Sequence, residues 1–166
     1  KLFNLMLDKG KVPASFGLSY TIPLLKCNLV NSSKSLSVKD FRGISISSAI
    51  SKVFENCILR RYSSFLSTAH NQFGFKKSLS CSHVIYSMRQ TVNKLTQSGC
   101  TVNLCALDMC KAFDKMSHFG CYIKLMDRNI PSCLLNVLEH WFSISETCVR
   151  WGSSVSRLVL LNCGVR

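Results

Sequence analysis

Two segments near the start of the chain have the apolar pattern of β-strands. Ser19–Lys26 is mostly apolar, and Phe41–Ser47 alternates between two faces. Pro23 interrupts the first segment and predicts an edge strand, because proline cannot donate a ladder hydrogen bond. The polar run Asn31–Ser37 is typical of a surface loop. A pair of strands linked by this loop is therefore the simplest interpretation.

Two later stretches of the chain have apolar residues at the spacing of a helix. Ser47 or Ser48 can cap the first helix. Its predicted inward residues are Ile50, Val53, Phe54, Cys57, Ile58 and Phe65. A turn over Asn71–Lys77 then leads into a second helix, which Gly99 ends. The predicted apolar face of that second helix consists of Cys81, Val84, Ile85, Met88, Val92 and Leu95.

Thr101–Asp108 has apolar residues on both faces of a strand pattern, which predicts a central strand. Asp108 stands at the end of that strand, where an acid is out of place unless it is exposed or bound to a cation. From the residues alone both alternatives stay open, and an ordinary surface acid is the favoured one.

The last third of the chain predicts two helices and a hairpin. One helix covers His118–Arg128, and another starts at Pro131, which a first helical turn tolerates. Thr147–Trp151 and Val155–Leu161 have the pattern of a hairpin around a Gly-Ser turn. The second helix is predicted to bury Leu134, Leu135, Leu138, Trp141 and Phe142. This order of elements indicates an α+β or mixed α/β fold.

The net charge of the chain favours functions that involve an anionic partner. The chain has 21 Lys and Arg against 8 Asp and Glu, a net charge of +13. Residues 1–100 carry 14 of the bases and 3 of the acids. A folded region with that excess repels itself unless an anion lies against it, and nucleic acid is the leading candidate because bound phosphates release counterions. An acidic membrane surface is the weaker candidate, and no apolar run approaches the ~18 residues of a membrane span.

The ten cysteines do not have the spacing of a metal site. No C-x-x-C pair occurs, and the four histidines form no ligand pair. Most of the cysteines stand inside apolar patterns, so we expect free thiols in a reducing intracellular compartment, nuclear or cytoplasmic. The chain starts at Lys1 and ends at Arg166 without a visible leader, and we expect it to be a piece of a longer protein.

Five blocks of the sequence, in order, resemble the reverse transcriptases of non-LTR retrotransposons. The first three are Ile22-Pro-Leu-Leu-Lys26, Asp40-Phe-Arg-Gly-Ile-Ser-Ile-Ser-Ser-Ala-Ile-Ser-Lys-Val-Phe-Glu55 and Gln72-Phe-Gly-Phe-Lys76. Block four is Leu107-Asp-Met-Cys-Lys-Ala-Phe-Asp-Lys-Met-Ser-His118, which is similar to the family's LDLSKAFDTVDH. Block five, Cys163-Gly-Val-Arg166, resembles the start of the family's GV(P/R)QG.

The resemblance implies a right-hand polymerase with an α+β fold of mixed helices and a small antiparallel sheet. Residues 1–100 would be the basic fingers, and residues 101–166 the first part of the palm. The implied chemistry is nucleotidyl transfer by two Mg²⁺ or Mn²⁺ ions, with the Asp108 carboxylate and the Met109 carbonyl as metal ligands. The family's other metal-binding aspartates belong to a later segment that does not occur here. Because one carboxylate cannot hold two cations, we expect this chain as given not to polymerise.

The same resemblance implies roles for further residues. Lys26 and Arg42 would contact the triphosphate of an incoming dNTP, and Phe113 would pack under its sugar and exclude a 2′-hydroxyl. Nucleic-acid contacts are assigned to Arg60, Arg61, Gln72, Lys76 and Lys77, with solvated side chains or a tight turn as the alternative. The expected partners are an RNA template, a DNA primer, the rest of the palm, a thumb and an endonuclease domain, and no membrane.

Two functional interpretations stay open, and the charge supports both equally. One is a polymerase fragment; the other is a non-catalytic, basic RNA-binding module, a degenerate or domesticated remnant. The chain departs from the family at Gly43, where a proline is usual, and after Lys77, where the usual Arg-Ser-Thr run is missing. Asp114 is expected to cap or brace a turn rather than to bind metal.

Overall fold

The computed structural model describes residues 1–26 and 35–165 of the chain. Three sets of residues from the sequence analysis lie outside the described residues: Cys27, positions 31–34 of the predicted loop, and Arg166. The chain divides into two compact units, one formed by Lys1–Phe65 with Lys111–Arg166 and the other by Leu66–Cys110. The described parts combine helices with a five-stranded sheet, so the α+β class is confirmed.

The elements are as follows in chain order. The described helices are α1 (Leu2–Lys9), α2 (Ala14–Gly17), α3 (Ala49–Arg61), α4 (Cys81–Gln97), α5 (His118–Met126) and α6 (Ser132–Ser143). The described strands are β1 (Leu18–Leu25), β2 (Phe41–Ser47), β3 (Glu146–Trp151), β4 (Ser154–Val155) and β5 (Val159–Leu160), with a 3-10 turn at Val38–Asp40 before β2.

Aromatic rings from four helices form the core of the larger unit. The Phe54 side chain of α3 is 1% exposed, and its ring centroid lies 4.9 Å from that of Phe3 and 5.7 Å from that of Trp141. The Trp141 indole N–H donates a 2.8 Å hydrogen bond to the carbonyl oxygen of Phe16, so the one polar atom of that side chain is satisfied inside the core. The predicted helices α3, α5 and α6 are confirmed, whereas α1 and α2 are not anticipated by the pattern.

The buried faces of α3 and α6 differ in part from the predicted faces. The buried residues of α3 are Ser51, Phe54 and Ile58, and the exposed ones include Ile50, Val53 and Cys57. In α6 the buried residues are Leu134, Val137 and Trp141, whereas Leu135, Leu138 and Phe142 are half-buried. A small polar residue enters the core of α3 because the Ser51 hydroxyl donates a 2.7 Å hydrogen bond to the carbonyl oxygen of Ser48.

The predicted strand pair is confirmed as an antiparallel ladder between β1 and β2, with a register from Ser19 opposite Ser47 to Leu25 opposite Phe41. The edge position of β1 and the antiparallel character of the sheet are wrong. The strand order is β2-β1-β3-β4, and β3 runs parallel to β1. Pro23 is tolerated because β3 pairs only with the first half of β1, from Leu18 to Thr21.

The predicted hairpin is confirmed, with β4 antiparallel to the end of β3 and Gly152 in the left-handed region at φ 58°. β5 adds a second antiparallel pairing to β3, in which Glu146 lies opposite Leu160. Since β3 also pairs with β1, the hairpin joins the end of the chain to its beginning. This pairing over more than 120 residues has no local signal in the sequence.

The smaller unit contains α4, which begins and ends as predicted. Ser80 caps it, with its backbone N–H donating to His83 Nδ1, and Gly99 follows it at φ 77°. The predicted apolar face is not buried within the described residues. Ile85 and Met88 are exposed, whereas Val84 and Val92 are half-covered.

The predicted central strand over Thr101–Asp108 is wrong. Residues 101–109 have no regular secondary structure, and none of the described strands pairs with them. A strand with two apolar faces needs a neighbouring strand and cover on both sides. Within the described residues that cover is missing, because Leu104 and Leu107 are exposed.

Candidate functional site

Asp108 and Met109 lie in the irregular segment that ends the smaller unit. Both residues are exposed, so the expected position of Asp108 at the tip of a central strand is not observed. A carboxylate in this setting is accessible to solvent and to a cation. The segment provides no fixed neighbouring ligand for it among the described residues.

The residues described do not form a two-metal site. No group of three or more His, Cys, Asp or Glu side chains that could hold a metal ion occurs among them. Two divalent cations need several carboxylate oxygens to balance their charge. The described chain therefore does not fit two Mg²⁺ or Mn²⁺ ions by itself.

The second half of block four belongs to the larger unit, where it packs against block five. The backbone N–H of Gly164 donates to the carbonyl oxygen of Met116 at 2.7 Å, and that of Val165 donates to Phe113 O at 3.1 Å. His118 Nε2 donates to Gly164 O at 2.8 Å. Blocks four and five, which are 45 residues apart along the chain, are therefore joined by hydrogen bonds, and we call this contact the junction of the two blocks.

Gly164 is required at this junction by two independent constraints. Its φ of +79° lies in the left-handed region, and a Cβ atom there would come within 2.7 Å of the Asp114 carbonyl oxygen. Asp114 thus takes part in the junction through its backbone. His118 and Gly164 are absent from the predicted site residues, although both belong to the quoted blocks.

Phe113 projects from this junction with 60% of its surface exposed. Its backbone is fixed by the hydrogen bond from Val165, and Lys111 two residues earlier has φ 53°. Phe113 is therefore not a buried core residue. An exposed ring on a fixed backbone is compatible with contact to a sugar, and the assigned role stays a prediction.

Lys26 and Arg42 lie at one end of the β1–β2 ladder. Arg42 is directly opposite Leu24, and the Lys26 backbone N–H continues the ladder by donating to the Asp40 carbonyl oxygen at 3.0 Å. Because residues two apart on a strand share a face, Lys26 and Arg42 belong to the same side of the sheet. Both are exposed, although Lys26 Nζ donates to the carbonyl oxygen of Lys39 at 2.6 Å.

The remaining predicted nucleic-acid contacts are distributed over both units. Arg60 and Arg61 end α3, where their charges complement the helix dipole. The Arg61 guanidinium also donates to Asn4 Oδ1 at 3.0 Å and lies 5.8 Å from the centroid of the Tyr62 ring. Arg61 therefore has a local structural role, whereas Arg60 is exposed.

In the smaller unit, Gln72, Lys76 and Lys77 belong to the predicted turn. Lys76 Nζ donates to the carbonyl oxygen of Ala69 at 2.6 Å and closes this turn. The Gln72 amide lies 3.5 Å from the Gly74 carbonyl oxygen, which is a weak local contact. Lys77 is exposed. The tight-turn interpretation thus has structural support for Lys76, and all three binding roles stay predictions.

The nine described cysteines are free thiols, as expected. Cys121 on α5 is half-buried, and this burial raises the pKa of its thiol because the charged form loses hydration. None of the described helices is long and apolar enough to cross a bilayer.

Comparison with known proteins gives a distant match to a transposon protein. The chain is 28% identical over 120 residues to a Drosophila melanogaster protein described as "Probable RNA-directed DNA polymerase from transposon X-element". The match covers 70% of this chain and 13% of that protein, so the chain spans a small part of its relative. No protein-family model matches the chain. The resemblance indicated by the five blocks is therefore supported as a distant and partial similarity to a transposon polymerase.

Proposed function

We propose that this chain forms the nucleic-acid-binding fingers and the first part of the palm of a non-LTR retrotransposon reverse transcriptase. The observation that carries the proposal is the similarity to the X-element polymerase over most of the chain. In the proposal, residues 1–100 provide the fingers and residues 101–166 begin the palm. The net charge of +13 suits a surface that follows RNA and DNA phosphates.

The geometry of the larger unit supports this proposal at two places. Lys26 and Arg42 share one face at the end of a rigid ladder, as two groups that hold one triphosphate would. Block five fixes the backbone of block four next to the exposed Phe113 ring. In the proposed polymerase this ring would be positioned to read the sugar of the incoming nucleotide.

The chemical step would depend on residues outside this chain. Divalent cations would supply charge neutralisation and activation of the primer hydroxyl, and Asp108 with the Met109 carbonyl would be this chain's ligands to them. Since the described residues hold no further carboxylate cluster, the chain is expected to bind nucleic acid without extending a primer.

The test uses the 166-residue chain and a fluorescently labelled single-stranded RNA, with fluorescence anisotropy measured between about 50 and about 200 mM salt. Binding through phosphates predicts that log K falls linearly with log salt concentration, with a slope of about −0.7 for each phosphate contacted. Addition of Mg²⁺, a primer and dNTPs is expected to give no extension. A salt-independent affinity, or no binding at low salt, would contradict the proposal.

One observation favours a second candidate, a non-catalytic RNA-binding module. The segment that carries Asp108 is irregular and exposed, and no metal cluster occurs among the described residues. Sequencing of the gene beyond Arg166 separates the candidates. A Gln-Gly pair followed by an Ala-Asp-Asp segment favours the polymerase, and an immediate stop codon favours the module.

A further inference from the structure

A second arginine lies on the same side of the sheet as Arg42. Tyr20 pairs with Cys148 across the parallel β1–β3 ladder, and Arg150 follows Cys148 by two residues. Its guanidinium carbon lies 6.0 Å from the centroid of the Tyr20 ring, which confirms that the two side chains share a face. We call this surface the Arg42 face, and it consists of Tyr20, Ile22, Leu24, Arg42, Ile44, Ile46, Cys148 and Arg150.

The two arginines on the Arg42 face have no carboxylate partner among the described residues. The ion pairs there are Lys52–Glu55 and Lys124–Asp127. Asp40 stands two residues before Arg42 and accepts hydrogen bonds from the backbone N–H and the hydroxyl of Ser37, whereas Glu146 pairs with Leu18 at the opposite end of β1 from Arg42. Neither Arg42 nor Arg150 therefore forms an ion pair among the described residues.

Exposed apolar side chains separate the two arginines. Leu24 and Ile44 remain 50% and 42% exposed, and they are diagonal neighbours on this face, because Leu24 lies opposite Arg42 and Ile44 lies opposite Ile22. Arg42 on β2 and Arg150 on β3 lie on either side of β1, at different positions along it, because β3 pairs with β1 only up to Thr21 and Arg42 lies opposite Leu24. This surface offers cations at its borders and apolar area between them.

The contact with the Tyr20 ring limits the conformations of the Arg150 side chain. A guanidinium that lies near an aromatic face loses less freedom on binding than a solvated one, and its planar fork of donors suits a phosphate. Arg150 is exposed, and its Nε donates a long hydrogen bond of 3.5 Å to the carbonyl oxygen of Gly152, so the accessible part of the fork is its two terminal nitrogens.

We infer that the Arg42 face binds single-stranded RNA, with Arg150 as a phosphate-binding residue and the exposed aliphatic side chains as the surface for bases and riboses. Single-stranded nucleic acid fits better than a duplex, because unstacked bases can cover the apolar centre while cations follow the backbone. This inference rests on the proposed function and adds a binding surface to it. It also assigns a role to β3, for which the sequence blocks imply none.

The experiment compares Arg150→Gln with wild-type chain, using the labelled single-stranded RNA across the same salt series. Arg150→Gln is expected to weaken binding about tenfold and to make the salt slope shallower by about 0.7, the share of one phosphate. Arg150→Lys, which keeps the charge but loses the fork, should restore the slope and only part of the affinity. The matched control is Arg89→Gln on α4, an exposed arginine of the smaller unit, which should change the affinity less than twofold.

Other outcomes overturn the inference in distinguishable ways. If wild-type chain binds RNA with a steep salt dependence and Arg150→Gln behaves like Arg89→Gln, the Arg42 face is not the binding surface, while the proposed function stands. If wild-type chain binds no RNA, the proposed function fails first. If vesicles rich in phosphatidylserine compete for the chain and Arg150→Gln weakens vesicle binding but not RNA binding, the face binds anionic lipid instead. Circular dichroism of each variant establishes that it folds.

Discussion

At the scale of single residues, the sequence identifies candidate site residues better than it predicts the structure around them. Block four identifies Asp108 as the candidate acid, but the strand expected to hold it is not formed. An apolar pattern indicates that a segment can be buried, but the elements that would bury it come from distant parts of the chain. Phe113 shows the same limit, since an aromatic residue is often buried, whereas the structure exposes this one.

The aromatic core gives a prediction for stability. Phe54→Ala should lower the free energy of unfolding by about 3–5 kcal/mol, because the side chain is buried against three other rings. Urea denaturation followed by tryptophan fluorescence measures the change. The matched control is Phe119→Ala, whose ring is largely exposed and should cost less than about 1 kcal/mol. Equal losses would contradict the described core.

Cys121 gives a prediction for pH. Burial raises the pKa of its thiol above the ordinary value of 9.0, so the folded chain keeps this thiol protonated to higher pH than an exposed one. Its contribution to stability is complete below the ordinary value and is lost as the pH rises through the raised value. Alkylation by iodoacetamide, measured by mass spectrometry over a range of pH, should show that Cys121 reacts only at a higher pH than the exposed Cys100. Reaction of Cys121 at a lower pH than Cys100 would contradict the described burial of its thiol.

At the scale of elements, the pairing of strands that are close in sequence could be predicted, whereas the pairing of distant strands could not. The β1–β2 ladder and the β3–β4 hairpin join neighbouring segments, so alternation and turn residues suffice to predict them. The parallel β1–β3 pairing joins segments more than 120 residues apart, and no local pattern encodes it. This same pairing brings Arg150 to the Arg42 face. The part of the candidate surface that the sequence analysis missed is thus the part created by long-range topology.

The junction of blocks four and five gives a prediction for one element. Gly164→Ala should lower the free energy of unfolding by about 2–4 kcal/mol, because alanine is strained at positive φ and its Cβ would clash with the Asp114 carbonyl oxygen. Gly152→Ala is the matched control, since its φ is also positive but no atom lies within 4 Å of the added Cβ. It should cost about 1 kcal/mol. Similar losses in urea denaturation would show that the junction does not pack as described.

At the scale of the whole molecule, charge and similarity lead to the same conclusion by separate routes. The excess of 21 bases over 8 acids favours an anionic partner, whatever the family. The similarity to the X-element polymerase supports nucleic acid as that partner in the proposed function. The match covers only a small part of that polymerase, and the described residues provide no cluster for two cations. Under the proposed function, this chain is therefore expected to bind nucleic acid and not to extend a primer by itself.

The most direct measurement is primer extension on an RNA template by a longer polypeptide that continues this chain through a second carboxylate segment. The account predicts that Asp108→Asn abolishes extension and leaves template affinity unchanged, because the neutral amide cannot hold the cations. Asp127→Asn is the matched control, an exposed aspartate paired with Lys124 on α5, and should extend like wild type. Wild-type extension by Asp108→Asn would contradict the assignment of this chain to a polymerase active site.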